Sequence, residues 1–185
     1  MNWKIRTTSE KDLYSFFLSL SNEVLYNFTP FGQVNKSDIA KKVARRESKK
    51  PLREQKNFGI YIDSVMVGFG FLRFFEKYQR RYTCTLGMVI HQDYQCKHYG
   101  KKLLRAMIGW AKTHEYKKIW LSVYSDNFRA IKFYKNFGFH VEGIFMYDEY
   151  FKDVPRHIIS MALIFDKDIR KGSFLEIVKA TGEKV

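Results

Sequence analysis

The chain of 185 residues carries 33 Lys and Arg against 19 Asp and Glu, for a formal net charge of +14, and 45% of it is hydrophobic and 17% aromatic. That length fits one globular domain spanning residues 1–185, and so large a share of buriable side chains excludes a disordered chain. Charges stand at Lys4 and Arg6, where a secretory signal needs an apolar run, and no stretch approaches the roughly eighteen apolar residues of a membrane span, so a cytoplasmic protein is expected.

Residues 3–7 read as a strand leading to Ser9, an N-cap with Asp12 three residues on; Leu13, Phe16, Phe17 and Leu20 then share one helical face. Between Lys36 and Lys56 nine basic residues stand against three acidic ones. Ile39, Ala40, Val43 and Ala44 recur there at helical spacing, which assigns the basic residues to the wet side of an amphipathic helix. Residues 58–62 and 65–75 flank Asp63 and Ser64, a two-residue connection that suits a tight hairpin. Residues 82–90 form a further strand. The period then changes, and residues 99–114 carry Leu103, Leu104, Met107, Ile108 and Ala111 on one stripe.

Residues 117–123 read as a short apolar strand, and 127–137 as a helix with Ala130, Ile131, Tyr134 and Phe137 on one side and Gly138 as its C-cap. Two strands follow, over about 139–147 and 157–165, joined by a polar loop containing Pro155; the tail 166–185 is weakly patterned. There is no internal repeat and no linker. The order predicts an α/β sandwich, a mixed and mostly antiparallel sheet of about seven strands flanked by about four helices. Cys84 and Cys96 show no CxxC spacing and no neighbouring His pair, so they are read as free thiols and no metal is expected.

The chemically informative junction is HQDYQCKHYGKKLL, residues 91–104, where a strand passes into a helix. Amide N–H groups at a helix start, with the helix dipole behind them, favour an anion. Lys97, His98, Lys101 and Lys102 add positive charge there, and Gly100 lets backbone approach a phosphate. On these residues alone, a phosphate site and a merely solvated helix start both remain open.

This segment resembles the acetyl-CoA loop of the GNAT superfamily, Gln or Arg followed by two residues, Gly, one residue, then Gly or Ala. The positions fall on Gln95, Cys96, Lys97, His98, Tyr99 and Gly100, with His98 where the first glycine usually stands. LSVYSDNFRAIKFYKNFGFHVEG, residues 121–143, is similar to the family's next strand, helix and strand, through Asn127, Arg129, Ala130, Ile131, Tyr134, Gly138 and Phe139. Together the two blocks extend the resemblance over residues 3–165, and it implies a GNAT-type sheet.

The resemblance also implies a function, transfer of an acetyl group from acetyl-CoA to a primary amine by direct attack through a tetrahedral intermediate. It casts the strand backbone of Met88, Val89 and Ile90 as the partner of the pantetheine arm and of the oxyanion, and the 95–101 segment, Lys101 included, as the phosphate loop. Asn127 would bind the pantetheine arm, and Tyr134 would protonate the departing thiol. No general base is assigned. Ser122 stands where some relatives carry Glu, and His91, Glu142, Asp148, Glu149 and His157 are the alternatives. The acceptor amine, and the choice between monomer and homodimer, stay open. Two other classes also stay open: a coenzyme A-binding protein without transferase activity, and, with less support, a basic nucleic-acid-binding module, since no zinc-finger, RNA-recognition or helix-turn-helix pattern accompanies the charge.

Overall fold

Ser9 begins the first helix through a capping box: its hydroxyl accepts from the Asp12 N–H at 3.0 Å while Asp12 accepts from the Ser9 N–H. This is seen in a computed structural model, which describes residues 2–28, 35–48, 54–75, 77–151 and 154–165. The elements are β1 (Trp3–Arg6), α1 (Glu10–Ser19), α2 (Asn22–Phe28), α3 (Lys36–Ser48), β2 (Gln55–Ile62), β3 (Val65–Phe74), β4 (Thr83–Ile90), α4 (Tyr99–Thr113), β5 (Lys118–Tyr124), α5 (Phe128–Lys135), β6 (His140–Phe151) and β7 (Val154–Ile164). Short 3-10 turns occupy Tyr78–Arg80 and Gln92–Tyr94. The tail from residue 166 lies outside the described residues.

The strands form one sheet in the order β1-β2-β3-β4-β5-β7-β6, antiparallel except for β4 and β5. Asp63 and Ser64 turn the β2–β3 hairpin with φ of 45° and 72°, the left-handed pair that a two-residue type I′ turn requires. Parallel strands need a crossover, and α4 supplies it between β4 and β5. One sheet face buries Leu103, Leu104, Met107 and Ala111 of α4 and Tyr134 of α5; the other buries Leu13, Phe16 and Phe17 of α1 and Ala40, Val43 and Ala44 of α3. Gly138, at φ 86°, closes α5: its N–H donates to the Lys135 carbonyl and that of Phe139 to the Tyr134 carbonyl, a Schellman arrangement.

Three features depart from the sequence-based expectations. A fifth helix, α2, buries only Leu25, so its seven residues carry no readable stripe. Pro155 lies in β7, not in a loop: β6 runs on to Phe151 and β7 starts at Val154, with Pro155 opposite Tyr150 near the strand start, where a missing N–H is tolerated. Register shifts in β6 between Val141 and Gly143 and between Phe145 and Glu149 absorb the extra residues.

The third departure is on α3, whose lysines and arginines 41, 42, 45 and 46 are exposed as expected, while Glu47 points inward with 0% exposure. Its carboxylate accepts from Arg46 Nε at 2.6 Å and Gln55 Nε2 at 2.7 Å, and Arg73 stands 3.6 Å away. Removing one partner of a buried charge cluster leaves the others uncompensated. Glu47→Ala is expected to lower stability by about 3 kcal/mol in urea unfolding, the lower end for buried pairs because both arginines are part-exposed.

Candidate active site

β4 and β5 pair only through Thr83–Thr85 opposite Lys118–Trp120, and then diverge. β5 stays paired with β7 as far as Tyr124, and β4 stays paired with β3 as far as Ile90, so the opening lies between two strands that are each satisfied on their outer side only. The His91 N–H donates to the Val67 carbonyl at 3.0 Å, which fixes the phase of the β3–β4 ladder. Val89 and Gly87 therefore bond to β3, while the N–H and C=O groups of Met88 and Ile90 turn toward the opening. Of the three β4 residues assigned to the cofactor from sequence, Val89 also borders the opening, but its N–H and C=O pair with β3 and its side chain is buried in the cluster that α1, α2 and α3 build on the other sheet face.

The resulting cleft, about 2290 Å³, is bordered by β3, β4, β5, the start of α4, α5, α2, α3 and the β6–β7 hairpin, with Lys36, Arg46 and Arg73 in its lining. At its α4 end, Gln95 Nε2 donates to the Ile90 carbonyl at 3.1 Å and folds the loop against the strand. Cys96 and His98 take φ of 58° and 65°, so His98 adopts the left-handed conformation of the glycine it replaces. His98 is the N-cap of α4 but makes no side-chain capping bond, which leaves first-turn N–H groups of the helix uncapped. Gln95, Cys96, His98, Gly100 and Lys101 border the cleft. Lys97 lies over the Tyr94 ring, Lys102 over Trp3, and Tyr99 is buried, so none of these three side chains joins the cleft wall.

Arg129 of α5 donates to Gln95 Oε1 at 2.7 Å and to Cys96 Sγ at 3.0 Å, tying the loop to the opposite wall. The sequence pattern included Arg129 without giving it a role; the contact spans elements more than thirty positions apart, which spacing alone cannot reveal. Asn127 caps α5, accepting from the Ala130 N–H at 3.1 Å, and its Nδ2 has no protein partner among the described residues. Tyr134 is 8% exposed, packed on Phe133 and Phe139, and borders the cleft from beneath. Burial pushes its phenol well above the ordinary value, so it stays protonated at neutral and moderately alkaline pH.

The far end of the cleft is aromatic and charged. Tyr124, at the end of β5, donates its hydroxyl to Glu149 of β6, and its phenol is raised, chiefly by burial and then by that carboxylate. Arg156 of β7 lies with its guanidinium 3.6 Å from the Tyr124 ring centre and pairs with Asp126 at 2.5 Å; Tyr26 of α2 stacks parallel to Tyr124. Sequence reading missed Tyr26, Tyr124, Asp126 and Arg156, which come from separate elements and share no motif. Both cysteines are unpaired: exposed Cys96 in the loop, and buried Cys84, whose thiol burial raises to about 12. Among the described residues no group of His, Cys, Asp and Glu could hold a metal ion, and no helix is long and apolar enough to cross a membrane.

A sheet split beside a helix start, with uncapped amides at one end and a protonated phenol below, is an arrangement suited to an anionic, extended ligand. The model of the acetyltransferase (GNAT) family matches residues 25–139. A spermine/spermidine N(1)-acetyltransferase of Bacillus subtilis (strain 168) is 34% identical over 104 residues, covering 52% of this chain and 67% of the relative. Among solved structures, an N-acetyltransferase from Staphylococcus aureus Mu50 superposes with a TM-score of 0.75 at 22% identity, over 90% of this chain and 100% of that one. A putative acetyltransferase from Salmonella typhimurium, solved with its cofactor acetyl-CoA, gives 0.69 at 19% identity over 90% and 96%. The chain belongs to the GNAT acetyltransferase family, and it is an acetyl-CoA-dependent N-acetyltransferase.

A non-glycine residue in the left-handed region costs roughly 1 kcal/mol. His98→Gly is accordingly expected to raise stability by up to ~1 kcal/mol, a rise of about 2–4 °C in melting temperature for a chain of this size, without loss of acetyl-CoA binding. Thermal melts with and without acetyl-CoA check both parts.

Proposed function

We propose that this enzyme acetylates a primary amine of the polyamine type. The observation that carries the reading is the opening between β4 and β5, with uncapped α4 amides at one end and a separate acidic and aromatic end opposite. Acetyl-CoA is one substrate. Its phosphates suit the first-turn amides of α4 with Lys101 beside them, and its amide-bearing arm suits the inward-turned backbone of Met88 and Ile90 and the free Nδ2 of Asn127. The acceptor then belongs at the end bordered by Tyr26, Tyr124 and Glu149. The polyamine class is drawn from the names of the Bacillus subtilis relatives.

The amine attacks the thioester carbonyl, and backbone N–H of Met88 or Ile90 steadies the oxyanion. Tyr134 gives its proton to the departing sulfur. An ordinary phenol is about 1.5 units less acidic than a thiol, so the transfer is uphill by ~2 kcal/mol, and burial of Tyr134 widens the gap. The step is still useful, because the same buried surroundings oppose expulsion of a bare thiolate. Only the free amine attacks, and an aliphatic amine with pKa near 10 is protonated at neutral pH, so kcat/KM rises with pH toward that value.

Acetyl-CoA is expected to raise the melting temperature, and thiol release is expected to be fastest with spermidine or spermine in a panel that includes amino sugars and peptide amines. A panel led by peptide or sugar amines would displace the polyamine reading. Tyr134→Phe keeps the packed ring and removes one hydroxyl, so it should preserve melting temperature and acetyl-CoA binding while lowering kcat by about 10²-fold to 10⁴-fold. A kcat within about threefold of the parent, with chemistry rate-limiting, removes Tyr134 from the proton transfer.

A further inference from the structure

An acceptor ammonium must lose a proton before it attacks, and the fold separates the five residues that sequence leaves available for that step. His91 turns its ring to Gln92 and Asp93, outside the cleft wall. Glu142 is paired with Lys118 at 2.7 Å, and Asp148 is exposed away from the cleft. His157 borders the cleft, but its Nδ1 accepts from the Tyr147 N–H at 3.0 Å, which makes Nε2 the protonated, donating nitrogen of the neutral ring. Glu149 borders the cleft too, and its carboxylate is held by the Tyr124 hydroxyl. Among the described residues, no Lys, Arg or His nitrogen lies within 4.0 Å of that carboxylate.

An orienting hydrogen bond together with the lack of a cation partner distinguishes Glu149 from the other carboxylates of the cleft among the described residues. Asp126 is neutralised by Arg156, and Glu23 is exposed on the first turn of α2 with no hydrogen bond that orients its side chain. A cationic acceptor is repelled by the charge of +14 on the whole chain and needs one local anion that is both oriented and uncompensated. Tyr150 and Val154, exposed beside Glu149 on the cleft rim, offer apolar surface to the methylene chain of an alkyl amine.

We propose that Glu149 receives the acceptor's ammonium group and takes the proton that frees its lone pair, with Tyr124 as the positioning residue; the assignment rests on the reading that an alkyl amine enters this end of the cleft. Glu149 takes one N–H proton and passes it to water. The lone pair then forms the C–N bond at the acetyl carbonyl, and the C–S bond breaks. The thiolate takes the Tyr134 proton, and the surplus proton on nitrogen returns through solvent to the Tyr134 oxygen, so that an amide, a thiol and one released proton result. Besides Tyr124, the titratable and charged groups bordering Glu149's end of the cleft are Tyr26, Glu23, Asp126, Tyr150, Arg156 and His157, and Lys36, Arg46 and Arg73 line the same cleft from α3 and β3. Measurements are therefore made above about pH 7.5, where an ordinary imidazole is neutral.

The test compares parent, Glu149→Gln, Tyr124→Phe and Glu23→Gln on the best protonated alkyl amine found, spermidine first, from about pH 7.5 to about pH 10, with acetyl-CoA-induced melting shifts as the check on folding. Glu149→Gln should lower kcat/KM about 10²-fold at the lower pH and less than about 10-fold at the upper, where the amine supplies its own free base. Tyr124→Phe should show the same trend at smaller amplitude, about 5-fold to 10-fold, and Glu23→Gln should match the parent. A loss constant across pH, a loss carried by Glu23→Gln instead, or no loss on an amine that the parent acetylates overturns the assignment while leaving the acceptor reading intact. Failure of the parent on every protonated alkyl amine overturns the acceptor reading and the assignment with it.

Discussion

The rest of the molecule depends on the parting of β4 from β5 after three residue pairs. Two strands that separate inside a sheet leave inward-facing N–H and C=O groups without partners, and such groups are costly unless water or a ligand pairs with them. β3 and β7 hold the outer sides of the two strands, so neither can close the gap without surrendering its own ladder. The crossover that parallel pairing demands runs through α4, whose start stands beside the end of β4. One topological choice thus yields both an unpaired strand edge and a helix N-terminus next to it.

Local strain at the loop serves the same arrangement. Cys96 and His98 both take positive φ, and Gln95 and Arg129 fix the turn from two sides. A side chain that capped α4 would have consumed an amide otherwise open to an anion, and His98 makes no such bond. Phe133 packs at ordinary van der Waals distance from the place a Gly100 side chain would take, so the helix start is pressed toward α5 without being crowded. The two walls of the cleft are thereby one packed unit, joined through α5.

Charge is divided along the cleft. Lys101 and Arg129 border the cleft at its α4 end and Asp126 and Glu149 at the other, with Arg156 held against Tyr124 and Asp126, while Lys36, Arg46 and Arg73 line it from α3 and β3. The large positive total therefore describes the surface as a whole and not each part of the site. Glu47 shows the same separation inside the fold: it sits within the most basic stretch of the chain, yet it is buried as the anchor of two arginines.

Periodicity made most of the elements legible, because apolar residues at spacings of two or 3.6 must face a core wherever that core lies; the α4 stripe, the Asp63-Ser64 turn and the cap at Ser9 needed no tertiary knowledge. The loop at Gln95–Gly100 and the strand–helix block around Asn127 and Tyr134 were legible as patterns because positive φ and helix capping restrict residue type locally. α2 was not, since a seven-residue helix burying Leu25 alone carries no period, and Glu47 was not, since the partners that neutralise it are set by β2 and β3. The acceptor end lay furthest from view. Tyr26, Tyr124, Asp126, Glu149 and Arg156 meet only because β7 inserts between β5 and β6 and α2 folds over them. Sequence by itself determined most of the elements and marked the 95–100 segment, which depend on neighbours within a few residues; tertiary structure decided which cleft carboxylate is both oriented and without a cation, because pairing between charges is fixed by distance in space.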